Sequence, residues 1–83
     1  MKITIESSKL VATVVVDGHE VPARIWTGET EAGIPVMCYI TRIAPMIYKE
    51  APDFEDKLDE FERDLKRQPA RVDMGAIPLR LIL

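Results

Sequence analysis

Cysteine and histidine are nearly absent from this 83-residue chain, and each scarcity excludes something. Cys38 is the only cysteine, so no internal disulfide can form. A secreted domain this small ordinarily leans on disulfides, which makes a reducing cytoplasm the expected compartment. His19 is the only histidine, which leaves little material for a metal centre or a nucleophile–histidine pair. Long apolar runs are missing too: nothing approaches the roughly 18 residues of a membrane span. Residues 1–8 hold no apolar block, and residues 10–16 lead into a turn, so no signal peptide is expected. Basic residues are not in excess. Eleven Lys and Arg face 14 Asp and Glu, for a net charge of −3 and a pI of about 5.1. That balance argues against direct nucleic-acid binding and against an anionic membrane surface as partner. What is present is 47% hydrophobic and 30% charged, the composition of one small folded domain spanning residues 1–83.

The first half reads as β structure. Residues 10–16, Leu-Val-Ala-Thr-Val-Val-Val, are rich in β-branched side chains. Asp17-Gly18 follows, a favoured two-residue hairpin turn because both centres must accept positive φ. The returning strand covers residues 20–27. A two-residue loop pairs Val16 with His19, Val14 with Val21, Ala12 with Ala23 and Leu10 with Ile25. Cross-strand partners share a face, so these residues form one apolar face. Residues 28–33, a polar stretch bracketed by glycines, read as the next loop, and residues 34–43 as the third strand. Pairing Thr27 with Ile34 then sets Ile25 against Val36, Ala23 against Cys38 and Val21 against Ile40. Pro22 has no N–H to donate, so a bulge or an unpaired side is expected beside it. Residues 1–5 form either a separate short strand or the start of a long bent first one.

The second half holds the helix. Residues 44–52 contain Pro45 and Pro52 and read as a connection. Phe54, Leu58, Phe61 and Leu65 recur with helical spacing, predicting a helix over 53–68 with Asp53 as N-cap and Pro69 as its stop. Ile77, Leu79, Leu81 and Leu83 then alternate as a final strand would. The expected fold is α+β: an antiparallel sheet of about four strands in β-β-β-α-β order, with one amphipathic helix packed on one face.

Enzyme chemistry finds little support in these residues. Asp17, His19 and Glu20 are close in sequence, but neighbouring strand residues point to opposite faces. Cys38 reads as a buried structural thiol with no base beside it. Gly28 and Gly33 flank Glu29 and Glu31, which would repel a phosphate. No catalytic residue, metal or cofactor is expected. Two surfaces stand out as partner-binding candidates. In the register above, Arg24, Trp26, Met37 and Tyr39 share the sheet face opposite the core, and these types are enriched in interface cores. Residues 51–68 carry seven acidic against four basic side chains, and Glu55, Asp59 and Glu62 offer an electrostatic contact to a basic partner. The uncovered sheet face or an open edge strand would equally serve a homodimer or larger homo-oligomer.

The stretch 21–36, Val-Pro-Ala-Arg-Ile-Trp-Thr-Gly-Glu-Thr-Glu-Ala-Gly-Ile-Pro-Val, continuing through Tyr39-Ile-Thr-Arg-Ile-Ala44, resembles a family of small proteins encoded by phages and prophages of Gram-negative bacteria. The ending Ala76-Ile-Pro-Leu-Arg-Leu-Ile-Leu83 is similar to their ends as well. No chemical motif underlies the resemblance, so no functional residue carries over. What it implies is a small accessory phage product in the bacterial cytoplasm. Such products often bind and block a host protein, and inhibitors of CRISPR or other defence systems are one such class. The expected function is therefore a non-enzymatic inhibitor or modulator of a bacterial host protein. The alternative is a phage structural or assembly protein acting as a homo-oligomer.

Overall fold

Two turns with left-handed residues shape the sheet. The computed structural model describes residues 1–67 and 71–83. Strand β1 spans Ile3–Val16, β2 His19–Thr30 and β3 Pro35–Ile40; helix α1 spans Phe54–Lys66; β4 spans Val72–Pro78 and leads into a 3-10 turn at Leu79–Leu81. The four strands form one sheet in the order β3-β2-β1-β4. The fold is α+β, as the sequence predicts. Gln68 and Pro69, the expected helix end and its stop, lie outside the described residues.

The first turn is as expected. Asp17 and Gly18 have φ of 50° and 79°, both positive, and Val16↔His19, Val14↔Val21 and Ala12↔Ala23 are partners. Pro22 sits opposite Thr13 without breaking the ladder. The pair flanking a two-residue turn exchanges hydrogen bonds, and alternation then aims the Pro22 nitrogen away from β1. On that side β3 has already ended, at Arg24↔Ile40. The pairing of Leu10 with Ile25, however, is not formed. The register shifts between Ser7↔Trp26 and Val11↔Arg24, a bulge that bends the single long first strand. Ser8 holds the bulge together: its hydroxyl donates to the Ile25 carbonyl and accepts from the Leu10 N–H at 3.1 Å.

The second turn corrects the sequence reading. Strand β2 continues through Gly28 to Thr30, and the turn is only Glu31-Ala32-Gly33. The Thr30 N–H donates to the Ile34 carbonyl at 3.0 Å, and Gly33 takes φ of 83°. This is a three-residue hairpin loop with glycine in the left-handed position. Moving the turn shifts the β2–β3 register by three residues, so Ile25 faces Tyr39, Trp26 faces Cys38 and Thr27 faces Met37. An odd shift turns every β3 side chain to the other face. Gly28 is therefore a strand residue, and it must be glycine: a Cβ there would run into the carbonyl oxygen of Thr4.

The last strand is also displaced. Strand β4 lies at Val72–Pro78, and it runs parallel to β1, with Leu10↔Val72 and Val14↔Ile77 as partners. The sheet is thus mixed rather than wholly antiparallel. A parallel neighbour requires a crossover, and the segment carrying α1 supplies it from β3 to β4. Beyond Val15↔Pro78 strand β1 has a single residue left, so 79–81 have no ladder to join and curl into the 3-10 turn. The alternation of leucines there reflects no strand.

Among the described residues the buried hydrophobics are Ala12, Val14, Ala23 and Ile25, and all share one face of β1 and β2. Helix α1 has no fully buried residue; Phe54, Leu58 and Phe61 are half-buried. Asp53 occupies the N-cap position but makes no capping side-chain hydrogen bond. The molecule is open for its size. Its radius of gyration is 15.2 Å, where about 12 Å is usual for a compact chain of this length. Its accessible surface is 6854 Å², against about 5000 Å² for a compact monomer of this mass.

Candidate functional site

The revised register splits the aromatic group proposed from the sequence. Arg24 and Trp26 share a face with Val11, Thr13, Cys38 and Ile40. Met37 and Tyr39 pair with Thr27 and Ile25 and so lie on the core face instead. There the Tyr39 hydroxyl donates to the Met37 sulfur at 3.4 Å, and Met37 remains exposed. Cys38 is half-buried beside Trp26, not sealed among the core residues as the sequence reading had it.

Around Arg24 and Trp26 the structure builds more than the sequence suggests. An open cavity of about 500 Å³ lies over this face. Its apolar wall includes Val11, Trp26, Ile40, Ile43 and Leu65, the last from the end of α1. Its charged lining is Arg24, Arg42, Arg71 and Asp73. Arg24 is set in place by the β1 bulge: its guanidinium donates to the Ser8 carbonyl at 2.8 Å. Arg42 donates to the Thr41 carbonyl at 3.1 Å, and the Asp73 carboxylate accepts from the Gly75 N–H at 2.8 Å. That last bond closes a local kink where Gly75 takes φ of 88° and the β1–β4 register shifts. Arg42, Arg71, Asp73 and Leu65 were not legible as site residues. Residues 41–43 follow the end of β3, and 71–73 reach the cavity only through the parallel pairing of β4. No local motif announces either event.

The acidic candidates lie along α1. Glu55 lies in the first turn of α1, and Asp59 and Glu62 follow along the helix; all three are exposed. Arg63 and Lys66 occupy the last turn, so the helix dipole is complemented at both ends. His19 and Glu20 fall on opposite sheet faces, opposite Val16 and Val15 respectively. Among the described residues no group of three His, Cys, Asp or Glu is arranged to hold a metal, and no helix is long and apolar enough to cross a membrane.

No family model, curated protein or solved structure matches the chain.

Proposed function

We propose that this chain is a non-enzymatic protein-binding module whose recognition surface is the Trp26 face with its cavity. The observation that carries the reading is unfinished burial. The chain exposes 6854 Å², an excess of about 1800 Å² over a compact monomer. A standard protein interface takes about 800 Å² from each partner, so the excess is ample for one. The cavity's size falls in the range of sites that seat a ligand or an anchoring side chain. Trp26 is the only tryptophan, and tryptophan and arginine lead the residue types on which binding energy concentrates. The resemblance to phage and prophage proteins supports the narrower form, an inhibitor or modulator of a bacterial host protein acting in the host cytoplasm, with defence complexes among the targets.

The test is capture of a partner from Gram-negative bacterial lysate on the N-terminally tagged chain, followed by affinity measurement with the purified partner. Trp26→Ala is expected to weaken that affinity by a factor of about 30, the cost of a hot-spot residue, with the circular dichroism spectrum unchanged. An unchanged affinity overturns the reading.

One observation favours a second reading, the homo-oligomer. Strands β3 and β4 are the sheet edges, and β4 exposes Val72 and Met74 along its length. An open apolar edge is a template for pairing with another copy. A solution mass that rises with concentration, and falls back when Met74 is replaced by Lys, would establish it.

A further inference from the structure

We infer that the cavity over Trp26 seats a carboxylate of an acidic, apolar-flanked segment of the partner protein. The inference rests on the binding-module reading and specifies its chemistry. Three of the four charged residues that line the cavity are arginines, from three separate places in the chain: Arg24 on β2, Arg42 after β3 and Arg71 before β4. The fourth, Asp73, already accepts the Gly75 N–H. The cavity is thus locally positive in a chain whose net charge is −3. Arginine's planar fork suits a carboxylate bidentately, and the Trp26, Val11 and Ile40 surface beside it suits the apolar neighbour of that carboxylate.

The overall charge disfavours an extended polyanion. Leu65 brings the basic last turn of α1, with Arg63 and Lys66, to the cavity wall, so what opposes a nucleic-acid strand is the charge of the chain as a whole, −3. A single carboxylate meets three arginines against the one carboxylate of Asp73. A nucleic-acid strand would spread over a chain of net negative charge and lose the long-range attraction on which its binding depends.

The test uses the full chain and the intrinsic fluorescence of Trp26. The probes are the peptides acetyl-Leu-Glu-Leu-amide and acetyl-Leu-Gln-Leu-amide, inorganic phosphate and a short single-stranded oligonucleotide. The glutamate peptide is expected to give a saturable change with affinity near 1 mM, about what one charged contact and one buried apolar side chain provide. The glutamine peptide should bind at least about tenfold more weakly, since hydrogen bonds to a charged group are the stronger ones. The double variant Arg42→Gln, Arg71→Gln should lose the glutamate peptide by a similar factor; both residues are exposed, so the fold is retained. Equal binding of the two peptides overturns the inference. So does an unaffected double variant, no saturation by about 10 mM, or tighter binding of phosphate or the oligonucleotide. The two readings fail separately. If the double variant keeps full affinity for the purified partner while Trp26→Ala loses it, the carboxylate site is wrong and the module stands. If the glutamate peptide binds as expected but Trp26→Ala leaves partner affinity unchanged, the module reading falls and the site remains.

Discussion

The β1–β2 pair and helix α1 carry equally clear apolar patterns, yet they end at different depths. Alternation along β1 and β2 puts Ala12, Val14, Ala23 and Ile25 on one face, and all four are buried, Ile25 completely. The helical stripe Phe54, Leu58, Phe61 and Leu65 is as regular, but no residue in it is buried and Leu65 is 37% exposed. The difference lies in neighbours. Strands β1 and β2 are central in the order β3-β2-β1-β4, so each has a hydrogen-bonded strand on both sides. Among the described residues the helix has no hydrogen-bonded neighbour on either side. Periodicity tells which way a side chain points; the number of elements around it decides how far from water it goes.

The largest expected effect tests that contrast directly. Ile25→Ala should cost about 3–4 kcal/mol of stability, from lost transfer energy and the cavity left behind. Phe61→Ala removes a larger side chain, but from a half-buried site, and should cost only about 1–2 kcal/mol. Urea unfolding of both variants decides it. Equal losses would mean that the helix stripe is as deeply committed to the core as the strand face.

Gly28→Ala comes next, at about 2–3 kcal/mol, because the new Cβ meets the Thr4 backbone rather than a side chain that can turn aside. An alanine at the exposed neighbour Glu29 should leave the urea midpoint nearly unmoved, which separates the close approach from a general intolerance of change in the sheet.

Gly28 also marks where the sequence misled. Two glycines bracketing Glu29-Thr-Glu-Ala32 look like one loop, and a glycine within a strand is uncommon enough that the loop is the natural reading. The structure uses the two for different purposes: Gly28 for close approach of two backbones, Gly33 for a left-handed turn position. Three residues of error followed, and with them the assignment of Met37 and Tyr39 to the Trp26 face. The first hairpin was legible because Asp17-Gly18 is short enough to admit a single register. The order of elements and the helix stripe were legible for similar local reasons. Strand β4 was not, because Val72-Asp-Met-Gly75 has weak strand propensity and owes its conformation to the open side of β1. The cavity's arginines were invisible for the same cause: they are brought together by pairing between distant strands.

The register itself can be tested with a covalent probe. Cys38 is the Cα partner of Trp26, and in the register read from the sequence it would instead oppose Ala23. Under mild oxidation Trp26→Cys should form a disulfide with Cys38, whereas Ala23→Cys should not, since a bridge needs Cα atoms within about 7 Å and Cβ atoms on one face. Mass spectrometry after alkylation reads the outcome. A bridge in the Ala23 variant alone would restore the four-residue aromatic face that the structure divides.

The smallest effect belongs to the acidic helix surface, where several contributions oppose one another. Replacing Glu55, Asp59 and Glu62 by their amides removes a favourable charge from the first helical turn. It also removes the favourable i,i+4 spacing of Asp59 with Arg63 and of Glu62 with Lys66. Against these, it relieves the repulsion of Glu55 with Asp59 and of Asp59 with Glu62, also one helical turn apart. Each contribution is a few tenths of a kcal/mol, so the triple variant should unfold within about 0.5 kcal/mol of the parent. A larger loss would show that the helix is tied to the sheet by charge, most directly through the arginines near Leu65, and the contrast between a committed sheet and a lightly held helix would narrow. With stability unchanged, the same variant becomes a clean probe of recognition. Partner affinity that drops, and loses its dependence on salt, would extend the binding surface from the Trp26 face onto α1; affinity that holds would confine it to the cavity.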